Sequence, residues 1–373
     1  MLGIYVHVPF CASRCSYCDF ATAAYDEASA GRYLAALGRE FAAAVPLLGK
    51  VRVDTLYLGG GTPPALGATA LTRLLAAVGS RFDVAPEAEV TCEANPESLS
   101  PAVLDALTAN GVNRLSLGIQ TFDPDILKIL GRRHDGEQAE DAYWRARRAG
   151  LENISVDMMY GLPRQSARRW EEDLDRALAL KLEHVSIYAL TLEPGVPLER
   201  DRAAHVFPSG DEQAAMYYDA VDALTAAGFV HYEISNFARP GRECRHNVKY
   251  WRDDEYVGFG PSAAGFREGG RYRNPAGLDE YCAAAAAGRW PLGDAEPSDP
   301  YRDMRTSAVL GLRLTAGIDA AAFEKRTGIN PKVYYEKELA ELVAAGLLEV
   351  DDDNVRVTRA GLFLSDEVFA SLI

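Results

Sequence analysis

Short apolar runs rich in Val, Ile and Leu alternate with longer amphipathic stretches over the first half of the chain. A β-branched run bounded by turn residues predicts a strand, and apolar residues recurring every three or four positions predict a helix. The predicted strands are residues 4–9, 53–58, 88–94, 113–120, 153–160 and 184–191. The predicted helices are residues 27–47, 67–79, 123–131, 135–149 and 166–181, with one more that begins at Ser100 and Pro101. Such a succession of strand–helix units predicts an α/β fold whose parallel sheet curves into a partial (β/α)6-type barrel.

The pattern changes after about residue 193. A helix over 210–228 and a seventh strand over 229–235 are predicted to complete the barrel. Residues 236–300 are rich in Gly, Pro, Arg and aromatic residues, and we predict loops that pack over the barrel mouth. A regular pattern returns over 301–373, where three helices (301–312, 319–327, 331–345), a hairpin over 348–357 and a closing helix predict a small winged-helix-like α+β domain. The expected domains are therefore 1–235, 236–300 and 301–373.

Charge and hydropathy exclude several classes of protein. The 39 basic and 54 acidic residues give a net charge of −15, which argues against general nucleic-acid binding. The winged-helix-like domain is acidic as well, so we predict that it packs or docks a partner rather than DNA. No apolar run approaches the ~18 residues of a membrane helix, and residues 1–20 resemble a strand and loop rather than a signal peptide. We expect a cytoplasmic protein, attached at the membrane only through a partner.

Three of the six cysteines, Cys11, Cys15 and Cys18, lie together directly after the first predicted strand with the spacing C-x3-C-x2-C. Three thiolates can hold three irons of a [4Fe–4S] cube and leave the fourth iron open. A structural zinc site with His7 or Asp19 as fourth ligand is the alternative, but such sites usually have a second cysteine pair farther along. A disulfide is disfavoured by the odd number of clustered cysteines. The spacing therefore favours an iron–sulfur cluster.

Polar and glycine residues follow the predicted strands at their carboxyl ends, which form the active-site face of a barrel. The glycines at 59–61 would let the backbone approach a ligand, although a tight turn alone would also explain them. Glu93, Gln120 and Asp157 end the next strands, and a carboxylate there can hold ribose hydroxyls. Arg132 could pair with a ligand carboxylate. Each residue alone could be a solvated or capping residue, but together they predict a ligand site.

The cysteine spacing, with Tyr17 before the third cysteine, resembles the signature of the radical S-adenosylmethionine (SAM) superfamily. This resemblance implies that the amine and carboxylate of SAM bind the open iron. It also implies that the reduced cluster cleaves SAM to a 5′-deoxyadenosyl radical, chemistry that the cofactor supplies and the protein positions.

A closer resemblance, nearly end to end, is to the group that contains the oxygen-independent coproporphyrinogen III oxidases and the HemW-type haem chaperones. The matching motifs are IYVHVPFC from Ile4, GGGTP from Gly59, EANP from Glu93, RLSLGIQTF from Arg114, GRRH from Gly131, DMMYGLP from Asp157, YEISNF from Tyr232 and HNVKYW from His246. The resemblance implies that Cys11, Cys15 and Cys18 bind the cluster. The residues that it implies around SAM are Tyr5, Gly60, Gly61, Thr62, Glu93, Gln120, Arg132 and Asp157.

Two features divide the subgroups of this family. The oxidases resemble C-x3-C-x2-C-x-C and carry an extension before the first strand, whereas this sequence has Phe20 at the fourth cysteine position and its first strand begins near Met1. The run from His246 to Trp251 resembles the HNxxYW motif of the haem chaperones, with His246 as an axial haem ligand. From chemistry alone, His246 is equally well explained as a hydrogen-bonded loop histidine. Cys244 is a weaker candidate ligand.

The sequence therefore predicts a haem chaperone that carries a [4Fe–4S] cluster and a SAM site, binds haem and delivers it to acceptor haem proteins. The alternative is a radical SAM coproporphyrinogen III oxidase of porphyrin biosynthesis, although we expect no true oxidase activity. The implied partners are haem, haem-accepting proteins and an electron donor for the cluster, with no nucleic acid. Whether the chain forms a homodimer stays open.

Overall fold

The barrel is built on parallel strands that follow one another along the chain. The structure, a computed structural model, describes residues 1–297 and 299–373. The strands of this part are β1 (Leu2–Val8), β2 (Phe10–Cys11), β3 (Ala23–Ala24), β4 (Arg52–Gly60), β5 (Asp83–Ala94), β6 (Arg114–Gln120), β7 (Asn153–Tyr160) and β8 (His184–Ala189). β1, β4, β5, β6, β7 and β8 pair in that order, all parallel, while β2 and β3 form a small separate pair. The predicted barrel strands are confirmed.

Helices connect the strands and cover the outer face of the sheet. They are α1 (Glu27–Leu48), α2 (Gly67–Gly79), α3 (Pro101–Ala109), α4 (Pro124–Ile129), α5 (Gly136–Arg148) and α6 (Ala167–Ala179). Ser100 caps α3, because its side chain accepts a hydrogen bond from Val103 N–H, and Pro101 occupies the first turn as predicted. Strand alternation separates the two faces of β6. Leu115 and Leu117 belong to the hydrophobic core, whereas Ser116 and Gln120 line a central cavity.

The predicted seventh strand is present, but it is not a parallel barrel strand. The chain continues through α7 (Pro197–Arg200) and α8 (Gly210–Ala226) into β9 (Val230–Glu233), which pairs antiparallel with β10 (Asn236–Ala238). β10 pairs antiparallel with β8 and so places both short strands at one edge of the sheet.

The prediction of loops over residues 236–300 is wrong. Besides β10, this segment contains α9 (Arg245–Trp251), β11 (Tyr256–Phe259), β12 (Ala264–Arg267), β13 (Gly270–Arg273) and α10 (Leu278–Ala286). β11 pairs parallel with β1, so the sheet has eleven strands in the order β13-β12-β11-β1-β4-β5-β6-β7-β8-β10-β9.

The position of α9 is a second correction, because it lies at the amino-terminal end of the barrel rather than over the mouth. Lys249 forms an ion pair of 3.0 Å with Asp54, near the start of β4, and donates to the carbonyl of Met1. Glu89 of β5, which pairs with Thr55 of β4, accepts hydrogen bonds from the backbone N–H groups of Arg245 and His246. The cysteines follow the carboxyl end of β1, so α9 closes the opposite end of the barrel.

The C-terminal residues form α11 (Pro300–Leu312), β14 (Ile318–Asp319), α12 (Ala320–Thr327), α13 (Pro331–Tyr334), α14 (Glu336–Ala344), β15 (Leu348–Val350), β16 (Asn354–Val357), α15 (Arg359–Leu362) and α16 (Ser365–Ala370). The predicted hairpin is confirmed as β15 and β16, and β14 adds a third strand that was not predicted. The single helix predicted over 331–345 is divided at Tyr335. The three domain boundaries stay a prediction. Over the part of the chain that the structure describes, none of the helices is long and apolar enough to cross a membrane.

Candidate functional site

The three clustered cysteines lie on one wall of a central cavity of about 460 Å³ at the carboxyl ends of the barrel strands. Each of the six cysteines is a free thiol. Burial raises the pKa of Cys11 and Cys18, so ionising these thiols requires a compensating positive charge. The loop that carries them is fixed by Ser16, which donates from its backbone to the carbonyl of Leu130 and from its hydroxyl to that of Ile129. A thiolate set held in this way fits an iron–sulfur cluster.

The geometry of the thiols differs from that of a single-ion site. Among the described residues, no three His, Cys, Asp or Glu side chains are close enough to share one metal ion, and this includes the cysteine loop. Thiolates of a four-iron cube each bind a different iron, so they need not converge on a point as zinc ligands do. Cys15 Sγ lies 3.5 Å from a guanidinium nitrogen of Arg132, and Cys11 Sγ lies 3.6 Å from the Thr62 hydroxyl.

Each glycine at 59–61 has a neighbouring group so close that a side chain at that position would clash with it. A Cβ on Gly59 would lie 2.8 Å from Oε2 of Glu93, and one on Gly61 would lie 2.7 Å from the main-chain oxygen of Phe10. A Cβ on Gly60 would lie 2.6 Å from the ring of His7, and Gly60 has a φ of +105°, which favours glycine. The run is therefore more than a tight turn, because it lets the cysteine loop and Glu93 pack directly against β4.

Glu93 is an acidic group held in place inside the central cavity. Its carboxylate accepts hydrogen bonds from the Tyr57 hydroxyl at 2.8 Å and from the N–H of Gly60 at 3.0 Å. Burial raises the pKa of Glu93 to about 7, against the lowering effect of the Tyr57 hydrogen bond. A cationic ligand group beside Glu93 would favour its charged form, because an opposite charge offsets the cost of burial.

Asp157 and Arg132 reach the same cavity from other elements. Asp157, on β7, accepts from the Ser116 hydroxyl at 3.0 Å, and burial raises its pKa. Arg132 follows α4 and donates to Oδ1 of Asn95 at 2.9 Å and to the carbonyl of Gly118. The Nε of Arg132 is buried without a hydrogen-bond partner among the described residues. Arg132 as a residue lines the cavity, so it brings a positive charge to the wall, which suits a carboxylate.

Gln120 completes the cavity wall from the end of β6. Its φ of +71° is uncommon for a residue other than glycine, and a register shift in the pairing with β7 occurs beside it. Backbone strain of this kind is retained where the surrounding structure fixes a functional geometry. The predicted residues Gly60, Gly61, Thr62, Glu93, Gln120, Arg132 and Asp157 all line the cavity together with the three cysteines.

Two of the predicted site residues lie elsewhere. Tyr5, on β1, lines a second cavity of about 640 Å³, which shares Asp19, Phe20, Gly60 and Glu93 with the central one. The Tyr5 hydroxyl lies 3.0 Å from Nδ1 of His7. Tyr5 is therefore a neighbour of the central cavity rather than part of its wall.

His246, the predicted axial haem ligand, lines neither of the two cavities. Its ring is fully buried, with Nδ1 at 2.8 Å from the Thr55 hydroxyl and Nε2 at 2.8 Å from the Tyr250 hydroxyl. Burial lowers the pKa of His246 to about 3, so the ring is neutral. Ligation of iron would require one of these hydrogen bonds to break, and the ring lies in the closed amino-terminal end of the barrel. His246 is thus a hydrogen-bonded histidine on a helix rather than on a loop, and its role toward haem stays a prediction. Cys244 is fully buried as well, and burial raises its pKa to about 12.

Comparison with known proteins agrees with the geometry of this site. The family model of the radical SAM superfamily matches residues 5–177, and that of the HemN C-terminal domain matches residues 301–364. The chain is 37% identical over 371 residues to the haem chaperone HemW of Lactococcus lactis, covering 99% of this chain and 96% of the relative. It is 34% identical to HemW of Bacillus subtilis, covering 100% and 99%. The chain belongs to the HemW family.

A solved structure of a related protein shares the complete fold. The coproporphyrinogen III oxidase HemN of Escherichia coli, a radical SAM enzyme, superimposes with a TM-score of 0.87 at 25% sequence identity, covering 100% of this chain and 89% of HemN. The match confirms the predicted radical SAM fold with its C-terminal domain. The identity to HemN is lower than the identity to the HemW relatives.

Sequence reasoning missed several residues that this HemW-family chain places in the cavity. Asn95 was not predicted as a site residue, yet it joins Arg132 to Thr62, because it accepts from Arg132 and donates to the Thr62 hydroxyl at 3.0 Å. Its position two residues after Glu93 in the EANP motif was the available signal. Tyr57 and Arg114 also line the cavity, and Arg114 is only 2% exposed. Their place along β4 and β6 on the inward face follows from strand alternation.

Proposed function

We propose that this chain is a haem chaperone that binds haem and delivers it to acceptor haem proteins. The observation that carries the proposal is the full-length similarity to proteins named haem chaperone HemW in several bacteria, at 34–38% identity. The central cavity supports the same assignment, because it brings together the cysteines and the polar residues of a cluster and SAM site.

The chain's own residues have distinct parts in this site. Cys11, Cys15 and Cys18 would hold a [4Fe–4S] cluster, which would supply the electron-transfer chemistry of the site and a position for SAM. Arg132 would pair with the carboxylate of SAM through its positive charge, and Glu93 would accept from the amine. Asp157 and Gln120 hold the ribose and the rest of the ligand by hydrogen bonds. When reduced by an external electron donor, such a cluster supplies the electron that cleaves SAM.

A test of the cluster uses cysteine variants. Anaerobically reconstituted protein should hold about four irons per chain, and Cys15→Ala should lose most of them, because the nearby Ser16 and Asp19 are harder oxygen donors. Cys92→Ala and Cys282→Ala serve as controls that keep the iron, since neither residue lines the cavity. Full iron content and an unchanged electron-spin spectrum in Cys15→Ala would overturn the ligand assignment.

The second candidate function is that of a coproporphyrinogen III oxidase, which the fold shared with HemN favours. Against it stands Phe20, which occupies the position of the fourth cysteine of the oxidases. Phe20 lines the cavity and is 61% exposed. Decarboxylation of propionates needs a macrocycle fixed near the radical, and a displacement of about 1 Å can cost about a hundredfold in rate.

One experiment separates the two functions. Anaerobic protein with reductant, SAM and coproporphyrinogen should form no protoporphyrinogen, while a parallel titration shows haem binding by its absorption spectrum. Protoporphyrinogen formation over several turnovers, abolished by Cys18→Ala, would replace the chaperone assignment with the enzymatic one. Deoxyadenosine formation alone would not do so, because slow SAM cleavage needs no porphyrin substrate.

A further inference from the structure

Arg114 is a buried cation in the central cavity that has no partner. It is the first residue of β6, is only 2% exposed and lines the cavity. Within residues 1–297 and 299–373, its guanidinium forms no hydrogen bond and no ion pair. A charged side chain that leaves water at such a cost is normally paired, so an unpaired one inside a cavity indicates a missing ligand.

The terminal nitrogens of Arg114 are the ones that face the cavity. Nε is enclosed by protein without a partner, whereas the two terminal nitrogens are not enclosed. Alternate residues of β6, namely Arg114, Ser116, Gly118 and Gln120, line the same cavity, as the two-residue period of a strand requires. At about 3.3 Å per residue, the backbone of Arg114 lies about 20 Å along the strand from Gln120. Arg114 therefore belongs to the base of the cavity, far from the cysteine loop.

The helix α9 brings a second unpartnered polar group to this base. Asn247 lines the cavity and is half-buried, and its side-chain amide forms no hydrogen bond over the described part of the chain. Burial raises the pKa of Cys244, three residues before Asn247, and the nearby charge of Arg114 opposes that rise. The guanidinium therefore lies close to the start of α9, so the base of the cavity holds a cation and an amide donor together.

The other charged groups of the cavity favour a carboxylate over a phosphate as the ligand. A guanidinium matches the geometry of both anions. Asp157 and Glu93 line the same cavity, and burial raises the pKa of both carboxyls while Arg114 opposes the rise. A doubly charged phosphate would be repelled by them more strongly than a singly charged carboxylate. Asp157 already accepts from the Ser116 hydroxyl, so the donors left for a ligand are Arg114 and Asn247.

From these contacts we infer that the base of the central cavity binds a small carboxylate other than SAM, held by the Arg114 guanidinium and the Asn247 amide. The ligand lies below the SAM site, because the residues that would hold SAM are at the opposite, carboxyl end of the barrel strands. The inference goes beyond the proposed function, since haem delivery requires no such ligand.

The experiment titrates [13C]acetate into anaerobically reconstituted full-length protein that is saturated with SAM, so that Arg132 is occupied. Binding is followed by the line width of the acetate resonance. Arg114→Met should weaken acetate binding at least about tenfold, because a charge-assisted hydrogen bond is lost. Asn247→Asp should weaken it by a similar factor through repulsion. Arg73→Met and Asn110→Asp make the same changes outside both cavities and should bind acetate as the wild type does.

Urea unfolding of each variant shows whether it is folded. If Arg114→Met does not fold, Asn247→Asp decides, because its residue is only half-buried and its side chain makes no hydrogen bond that the substitution would break. Wild-type acetate affinity in a folded Asn247→Asp or Arg114→Met protein would overturn the inference, as would a wild-type chain that binds no acetate.

Two further arms test the class and the place of the ligand. Tighter binding of inorganic phosphate than of acetate would overturn the assignment to carboxylates. Acetate that binds only when SAM is left out would show that both compete for one site, and it would make Arg114 part of the SAM site. Each of these results leaves haem delivery untouched, because haem binding and transfer are measured without acetate.

Discussion

At Gly59, a single added methyl group should impair ligand binding without unfolding the protein. A Cβ on Gly59 would lie 2.8 Å from Oε2 of Glu93, closer than such atoms approach in ordinary contacts. The Glu93 carboxylate ends a flexible side chain beside a cavity, so it can turn away. Turning away breaks its hydrogen bonds from Tyr57 and Gly60, which measure 2.8 and 3.0 Å. Each hydrogen bond to a charged acceptor contributes about 1.5–3 kcal/mol.

If Glu93 binds the amine of SAM, Gly59→Ala should weaken SAM binding by about ten- to a hundredfold, since about 1.4 kcal/mol corresponds to a factor of ten. The measurement is equilibrium SAM binding to anaerobically reconstituted protein, with urea unfolding of the same samples. Gly61→Ala should behave differently, because its Cβ would lie 2.7 Å from the main-chain oxygen of Phe10, which cannot turn away. We expect it to lower the free energy of unfolding by about 1–3 kcal/mol.

Gly38→Ala is the matched control for both variants. It lies in the middle of α1 with no atom within 4 Å of its added Cβ, so it should stabilise the helix by about 0.5–1 kcal/mol and leave SAM binding unchanged. Wild-type SAM affinity in Gly59→Ala would refute the reasoning, because it would show that the position of the Glu93 carboxylate does not matter to SAM.

Two further predictions concern stability. Phe41→Ala should lower the free energy of unfolding by about 3–5 kcal/mol, because the fully buried ring packs edge-on against Phe82 and Phe259. Leu47 lies on the same helix and is 59% exposed, so Leu47→Ala should change the free energy of unfolding by less than about 0.5 kcal/mol. Burial raises the pKa of Glu40 to about 7. Over the pH range below that value, the Glu40 carboxyl keeps its proton in the folded state although it has lost it in the unfolded state. The free energy of unfolding should therefore fall by up to about 3 kcal/mol from this group as the pH rises from about 4.5 to 7. Urea unfolding at several pH values should show that Glu40→Gln removes this contribution. A pH profile of Glu40→Gln identical to that of the wild type would contradict this assignment.

The barrel was predictable because its signals are local. Each strand–helix unit carries its own hydrophobic period, cap and turn within about forty residues, as the capped start of α3 at Ser100 shows. The site on the carboxyl ends followed from the same order, because consecutive parallel strands place Glu93, Gln120 and Asp157 at one end of the barrel. Asn95 was missed because its role depends on Arg132 and Thr62, which belong to other loops.

The segment over 236–300 was not predictable from local pattern. Its strands have three or four residues, too few to show a period, and β11 pairs with β1 from the other end of the chain. The same holds for His246, whose partner Thr55 lies 191 positions earlier, so no local feature distinguishes a buried supporting ring from an exposed ligand. The break at Tyr335 was missed because the apolar period continues through it.

The central claim, that this chain carries haem and delivers it, is tested most directly by haem transfer. Haem-loaded protein would be mixed under anaerobic conditions either with an apo haem protein from the same cells or with a high-affinity haem scavenger, and the Soret band followed in time. The scavenger measures spontaneous dissociation of haem. An acceptor should take up haem faster than the scavenger does. Absence of haem binding, or transfer no faster than spontaneous dissociation to any acceptor tried, would contradict it.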